Sequence, residues 1–378
     1  MAFINIPGQS TSKSYLSKLI EEDRVPHALL FSGPEGNGKL AYALLFSMGL
    51  LCEVKEGIEF CGECNQCIKS TKFIHPDLHF TFPVCSIDGK KRDETTSTDF
   101  LQSWRKFLEI NPFGGMTQWV KHLGYENKNF NINVTECNQI IKSLSLRRYE
   151  GRYKIQIIWA AEHLAKEGNR LLKLIEEPTP NTLIILVTDR QDLLLNTILS
   201  RCQVFRAPPF TDEEVESFLE PSVSSQQKRQ ELVRLAGGNL RLATELIENV
   251  EEGWNDALLN IFRYCFLGKA SEMIAQAEML ASLSKKDMES FCLYALHFLK
   301  EYMRVVHLQS TEHVRLSDIE KTTALKMTKV INIAMANEIA RLMERNIKNL
   351  HRNANKKILW TNTMFEIEGV FKSEKIAV

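Results

Sequence analysis

Two groups of residues near the start of the chain have the types and spacing for chemistry. Gly33-Pro34-Glu35-Gly36-Asn37-Gly38-Lys39 follows the pattern G-x-x-x-x-G-K-[S/T], in which backbone N–H groups at a helix start cradle phosphates, the lysine pairs the β/γ oxygens and the hydroxyl holds magnesium. Leu40 stands where the hydroxyl belongs. The loop with Gly33, Gly36, Gly38 and Lys39 is therefore expected to keep the shape and cation of a nucleotide site without its intact chemistry. Magnesium is not expected there, and retained ATP binding is not implied. The second group is Cys52, Cys61, Cys64 and Cys67, spaced C-x8-C-x2-C-x2-C, with Gly62, Glu63, Asn65 and Gln66 in the turns. Four thiolates on tight knuckles suit tetrahedral zinc and leave no open coordination position, so a structural Zn2+ is expected. A redox Cys-x-x-Cys pair or unrelated thiols are the alternatives. His75 offers a competing ligand, for which a structural role in its loop is the simpler account.

These residues need a scaffold. Ala28-Leu29-Leu30-Phe31 reads as a short buried strand and Leu40 to about Leu51 as an apolar helix, which places the glycine-rich turn between strand and helix. Ahead of them, Leu16, Leu19 and Ile20 share one face of a lead-in helix. Leu78 to Val84 alternates apolar and polar residues as a second strand would, and Val134–Leu146 has the apolar spacing of a helix. Tyr153–Trp159, a helix over Glu162–Ile175 and the strand Thr182–Val187 follow. Strands alternating with helices predict an α/β fold with a parallel P-loop sheet. In such a sheet the strand ending near Trp159 should carry an Asp for magnesium and a Glu to activate water, but Trp159, Ala160 and Ala161 stand there. Residues 85–131 interrupt the pattern and read as an insertion at the sheet edge, with a charged turn over 88–93 and a helix over Phe100–Ile110. Its Trp104, Trp119 and Tyr125, near Lys90, Lys91 and Arg105, could stack on single-stranded bases; packing of a small lobe is the simpler account.

Leu171-Leu172-Lys173 with Glu176-Glu177-Pro178, then Ser200-Arg201-Cys202, together with the cysteine array inserted after the phosphate-loop helix, resemble the clamp-loader subunits of bacterial DNA polymerase III, of the AAA+ class. The likeness covers roughly residues 25–245, and the missing magnesium ligands place the chain on the family's non-motor side. The resemblance implies an AAA+ domain over 1–208 with a zinc module at 52–77, a helical lid domain over 209–250 and a helical collar for oligomerisation over 251–378. It implies no intrinsic ATPase activity, with Arg201 offered in trans as an arginine finger to the nucleotide of a neighbouring subunit; a structural salt bridge at the sheet end is the alternative. Arg241, in Gly237-Gly238-Asn239-Leu240-Arg241, stands where active relatives sense nucleotide, with a solvated helix-start arginine as the equal alternative. Partners implied are the gamma/tau motor and delta subunits in a hetero-oligomeric ring, and, through that complex, the sliding clamp and primer–template DNA in replication. An active gamma/tau-like ATPase is the alternative; Lys39 favours it, while Leu40, Trp159 and Ala160 oppose it.

The remaining sequence carries no catalytic set. Thr211 and Glu214 have capping-box spacing after Pro208-Pro209, and residues 226–235, 240–247, 288–307 and 326–350 read as helices, ending in the basic Lys348, Arg352, Lys356 and Lys357. In 378 residues, 47 Lys+Arg balance 47 Asp+Glu, so no global field draws the chain to nucleic acid or membrane. That balance weakens a third reading, a zinc-dependent nucleic-acid binder acting alone. The start of the chain shows neither a basic n-region nor an apolar h-region, and a cytoplasmic location is expected, which suits nine cysteines used as metal ligands and free thiols.

Overall fold

The computed structural model describes residues 6–54, 57–87, 89–126, 128–247 and 254–375. Asp88, in the expected charged turn, and residues 248–253, around the expected boundary at 250, lie outside the described residues. The chain divides into two compact units, one running through Leu219 and including Gly238–Leu242, the other comprising Glu220–Gly237 and Ala243 onward.

The first unit is built on five strands, β1 (Ala28–Ser32), β2 (Leu78–Thr81), β3 (Lys154–Trp159), β4 (Thr182–Thr188) and β5 (Gln203–Arg206), in the order β2-β3-β4-β1-β5. Every pairing is parallel, with Phe31 opposite Val187 and Phe205, and Ile157 opposite Phe80 and Ile185. Around the sheet lie α1 (Ser10–Glu21), α2 (Lys39–Leu51), α3 (Asn65–Thr71), α4 (Leu101–Ile110), α5 (Met116–Leu123), α6 (Val134–Ser145), α7 (Leu172–Glu176), α8 (Asn196–Leu199) and α9 (Asp212–Leu219). Strand side chains alternate between faces, and both faces are covered. Ala28 and Leu30 join Ile140, Leu164, Ile175 and Ile198 on one side, while the Phe31 ring meets Phe46 of α2 and Phe205 of β5. The α2 helix is buried nearly all round, as its apolar sequence requires.

Three expected elements differ. The strand expected over Leu78–Val84 stops at Thr81, because the Phe82 N–H turns away to Ser97 Oγ (3.1 Å) and Val84 makes only an isolated antiparallel bridge to Asn131. The helix expected over Glu162–Ile175 is a 3-10 segment, Ala161–Leu171, followed by α7, with a break at Ala165 (φ 44°, ψ −133°). The His163 carbonyl there accepts the Ile132 N–H (3.2 Å) from outside the helix. In the second unit, the run 326–350 is divided between one helix that ends at Met327 and another over Ile333–His351, because Asn332 caps the second by accepting the Met335 N–H (2.9 Å).

That second unit holds α10 (Gln226–Ala236), most of α11 (Leu240–Leu246), and α12 (Trp254–Leu267), α13 (Ala270–Ser282), α14 (Lys285–Leu308), α15 (Asp318–Met327), α16 (Ile333–His351) and α17 (Lys356–Lys375). Buried Glu320 ties three of them together, accepting from the Arg234 guanidinium of α10 and from the Tyr294 hydroxyl of α14 (2.6 Å). Among the described residues, no helix is long and apolar enough to cross a membrane.

Candidate functional site

The phosphate loop joins β1 to α2, and its glycines are dictated by geometry. Gly38 caps α2 in the left-handed region (φ 82°), and at Gly33 (φ 149°) a Cβ would come within 2.3 Å of Asn37 Nδ2 and 2.7 Å of the Ala207 carbonyl. Lys39 is only 4% exposed. Its Nζ donates to Gly33 O (2.8 Å), Pro34 O (2.6 Å) and Asn37 Oδ1 (3.0 Å) and pairs with Asp189 Oδ1 (2.6 Å) just beyond β4. An ammonium has three protons, so the chain itself uses the whole donor capacity that a phosphate would need. Burial pulls the Lys39 pKa below its ordinary value, against the raising effect of Asp189.

The cleft beside Lys39 is closed. Its remaining cavity is about 20 Å³, walled by Leu40, Trp159 and Asp189 on the sheet side and by Phe113, Gly114 and Gly115 of the insertion. A water needs roughly 10–15 Å³ on this measure, so the space suits one water and no triphosphate. Trp159, at the expected metal-carboxylate position, packs its ring 5.0 Å from Trp104 and 5.9 Å from Phe107 of α4. Trp104 stacks on Phe82 (4.2 Å) and meets Trp119 edge-on (5.2 Å), and both tryptophans are fully buried, so neither can stack on bases. Two carboxylates escaped the sequence reading. Asp189 is one, and Glu162 is the other, accepting from Thr188 Oγ1 (2.6 Å), with burial pushing its pKa up. Asp189 follows directly on β4, the strand beside β1, so its place at the loop comes from the sheet order. Arg241 pairs with Glu35 Oε2 (2.5 Å) beside the loop, while the Leu240 N–H bonds the Gly36 carbonyl (3.0 Å).

The four cysteines come together. Their Sγ atoms lie within 4.8 Å of one another, with Cys52–Cys61 at 3.6 Å and Cys61–Cys67 at 3.8 Å. A tetrahedron of thiolates about 2.3 Å from zinc has edges of about 3.8 Å, a spacing with which the set is compatible. Backbone N–H groups of Cys61, Cys64 and Cys67 point at the sulfurs of Cys52, Cys61 and Cys64 (each 3.4 Å). Hydrogen bonds from the backbone of Cys64 and Glu63 bring the Cys61 thiol down to about 7, whereas burial pushes Cys52 and Cys67 up. These four residues can hold a metal ion. His75 is not among them: its Nδ1 accepts the Asp77 N–H (3.0 Å) and its Nε2 meets Gln66 Oε1 (2.5 Å), which uses both ring nitrogens.

Arg201 follows α8 at the surface. Its Nε donates to Glu176 Oε1 (2.5 Å) at the end of α7, and its Nη1 donates to Thr197 O (2.9 Å) and Ser200 Oγ (3.1 Å). Cys202 packs against the core cluster under the sheet. Each residue of Ser200-Arg201-Cys202 thus has its own task.

A family model described as DNA polymerase III, delta subunit matches residues 8–211. The chain belongs to the DNA polymerase III delta subunit family. The matched region of this delta-family chain holds the phosphate loop, the cysteines and Arg201, while Arg241 lies beyond it. DNA polymerase III subunit delta' of Bacillus subtilis (strain 168) is 25% identical over 340 residues, covering 89% of each chain. The delta' subunit of Haemophilus influenzae is 23% identical over 329 residues, covering 84% of this chain and 85% of that one. Subunit tau of Escherichia coli (strain K12) is 25% identical over 255 residues, 65% of this chain but 32% of tau. A solved gamma-subunit-related protein of Thermotoga maritima aligns over 91% of this chain and 99% of that one at 15% identity, with a TM-score of 0.36, too low to carry geometry across. The delta-family chain combines a phosphate loop in a five-stranded parallel sheet, a cysteine module and a helical remainder.

Proposed function

We propose that the chain is a delta'-type clamp-loader subunit of DNA polymerase III that does not hydrolyse ATP and lends Arg201 in trans to a motor neighbour of the gamma/tau type. The closed cleft carries this reading: Lys39 is saturated by the chain's own acceptors, and the space beside it suits one water. Leu40 and Trp159 remove the magnesium ligands independently. The 1–208 sheet domain displays Arg201, the 209–250 segment acts as a lid and the 251–378 helices serve as the oligomerisation collar. Delta and gamma/tau subunits complete a ring that places the sliding clamp on primer–template DNA. Zinc is the ion proposed for Cys52, Cys61, Cys64 and Cys67, as a structural staple.

The place of Arg201 at the surface after α8 supports its proposed role as a finger. Supplied in trans, such an arginine stabilises charge on the γ-phosphoryl oxygens and is worth ~10³ to 10⁵ in rate. The test is ATP hydrolysis by the isolated chain and by the assembled complex, with Arg201 intact or replaced. The isolated chain should show no turnover. Arg201→Ala should assemble normally and lower clamp-stimulated ATPase activity at the adjoining site, and Arg201→Lys should rescue poorly because it lacks the planar fork. Magnesium-dependent turnover by the isolated chain, lost in Lys39→Ala, would instead favour the motor reading.

A further inference from the structure

We infer that Glu176 is a positioning residue for Arg201, holding the guanidinium by one edge so that its other edge is ready for an oxyanion outside the chain. The inference rests on the reading of Arg201 as a finger. It starts from an acid in an unfavourable place. Glu176 ends α7, where the helix dipole disfavours negative charge, and Glu177 before Pro178 stops the helix there. Something must reward a carboxylate at that spot, and the nearest cation is Arg201, 2.5 Å away across a gap of 25 residues in sequence.

The pair is half exposed, and an exposed ion pair adds little to stability. Geometry is the better account of it. Glu176 takes Nε, the Thr197 carbonyl and Ser200 hydroxyl take Nη1, and Nη2 has no partner among the described residues. Three acceptors on two short helices therefore fix the plane of the fork and leave one end of it unspent. A free arginine side chain has several freely rotating bonds, and a finger must lose that freedom when it engages the transition state. A guanidinium already fixed loses less. Glu177 makes no bond to Arg201 and serves as the control.

The experiment uses the complex assembled from full-length subunits and follows ATP hydrolysis at the adjoining motor site. Glu176→Ala should lower kcat by ~10- to 100-fold, the scale for a misplaced catalytic group, with KM for ATP changed less than about two-fold. Glu176→Gln keeps an acceptor for Nε and should retain most of kcat. Glu177→Ala should match the parent. In the Arg201→Ala background, Glu176→Ala should cause no further loss. If Arg201→Ala lowers kcat while Glu176→Ala matches the parent, or exceeds it as release of a sequestered arginine would, the positioning role is wrong and the finger reading stands. If Arg201→Ala itself matches the parent in an assembled complex, the finger reading falls and this inference with it. Thermal unfolding and assembly of each variant, read alongside, separate a kinetic loss from a folding defect; a Glu176→Gln chain that assembles but loses as much kcat as Glu176→Ala also overturns the role of the acceptor geometry.

Discussion

The ammonium of Lys39 is now part of the fold. In a working nucleotide site the lysine waits for a ligand and contributes little to the empty chain's stability. Here it holds two loop carbonyls, an asparagine oxygen and Asp189 at once. Removing it leaves those acceptors without their donor in a narrow cleft, and Asp189, still partly exposed, without a counter-charge. Lys39→Ala should therefore lower unfolding stability by about 3 kcal/mol in urea titration, near the lower end of the range for breaking a buried pair. A loss under about 0.5 kcal/mol, ordinary for a surface substitution, would mean that the lysine is not locked. The sequence announced this site by what it lacks, since Leu40 and Trp159 are visible as wrong residue types at fixed spacing. It did not announce Asp189 as the partner of Lys39, because that pairing depends on β4 lying beside β1, a tertiary fact with no local signature.

At the scale of elements, the insertion supplies the plug. Phe113 meets Phe210 and Phe218 edge-on (6.2 and 5.5 Å) and lines the cleft beside Gly38 and Lys39, so a segment expected at the sheet edge also reaches the phosphate loop. The apolar spacing of α4 and α5 was readable, but the target of their aromatic residues was not, since periodicity gives a buried face and never its partner. Phe113→Ala should cost roughly 3 kcal/mol of stability and widen the cleft, yet produce no magnesium-dependent hydrolysis, because Leu40 and Trp159 remain. Titration with a fluorescent ATP analogue, followed by phosphate release, checks both halves; turnover would show that the plug alone silences the site. The cysteine module was far more readable, since knuckle spacing is itself the geometry. One zinc per chain is expected, and its removal under reducing conditions should speed amide exchange over residues 57–77 while β1 and β4 stay protected, because an ion held by the four cysteines would tie the end of α2 to α3, outside the sheet. Metal analysis finding less than stoichiometric zinc in protein purified under reducing conditions would remove the staple.

For the whole molecule, the charge balance sets what the chain does alone. With 47 basic and 47 acidic side chains, it lacks the positive surplus that drives non-specific binding to DNA through counterion release. Its buried aromatic residues are spent on packing, and several cations are already paired, among them Lys69 with Glu150, Arg152 with Asp23 and Lys357 with Glu278. A subunit that works through a ring needs no strong grip of its own, since linked contacts from neighbours raise the effective concentration of each weak one. The isolated chain should therefore bind primer–template DNA more weakly than ~10⁻⁶ M at physiological salt, with a shallow dependence on salt because few phosphates are neutralised. Fluorescence anisotropy across a salt series measures both. Tight binding with a steep slope would mean that a local basic surface, hidden in the balanced total, engages DNA directly, and it would revive the reading of this chain as a nucleic-acid binder in its own right.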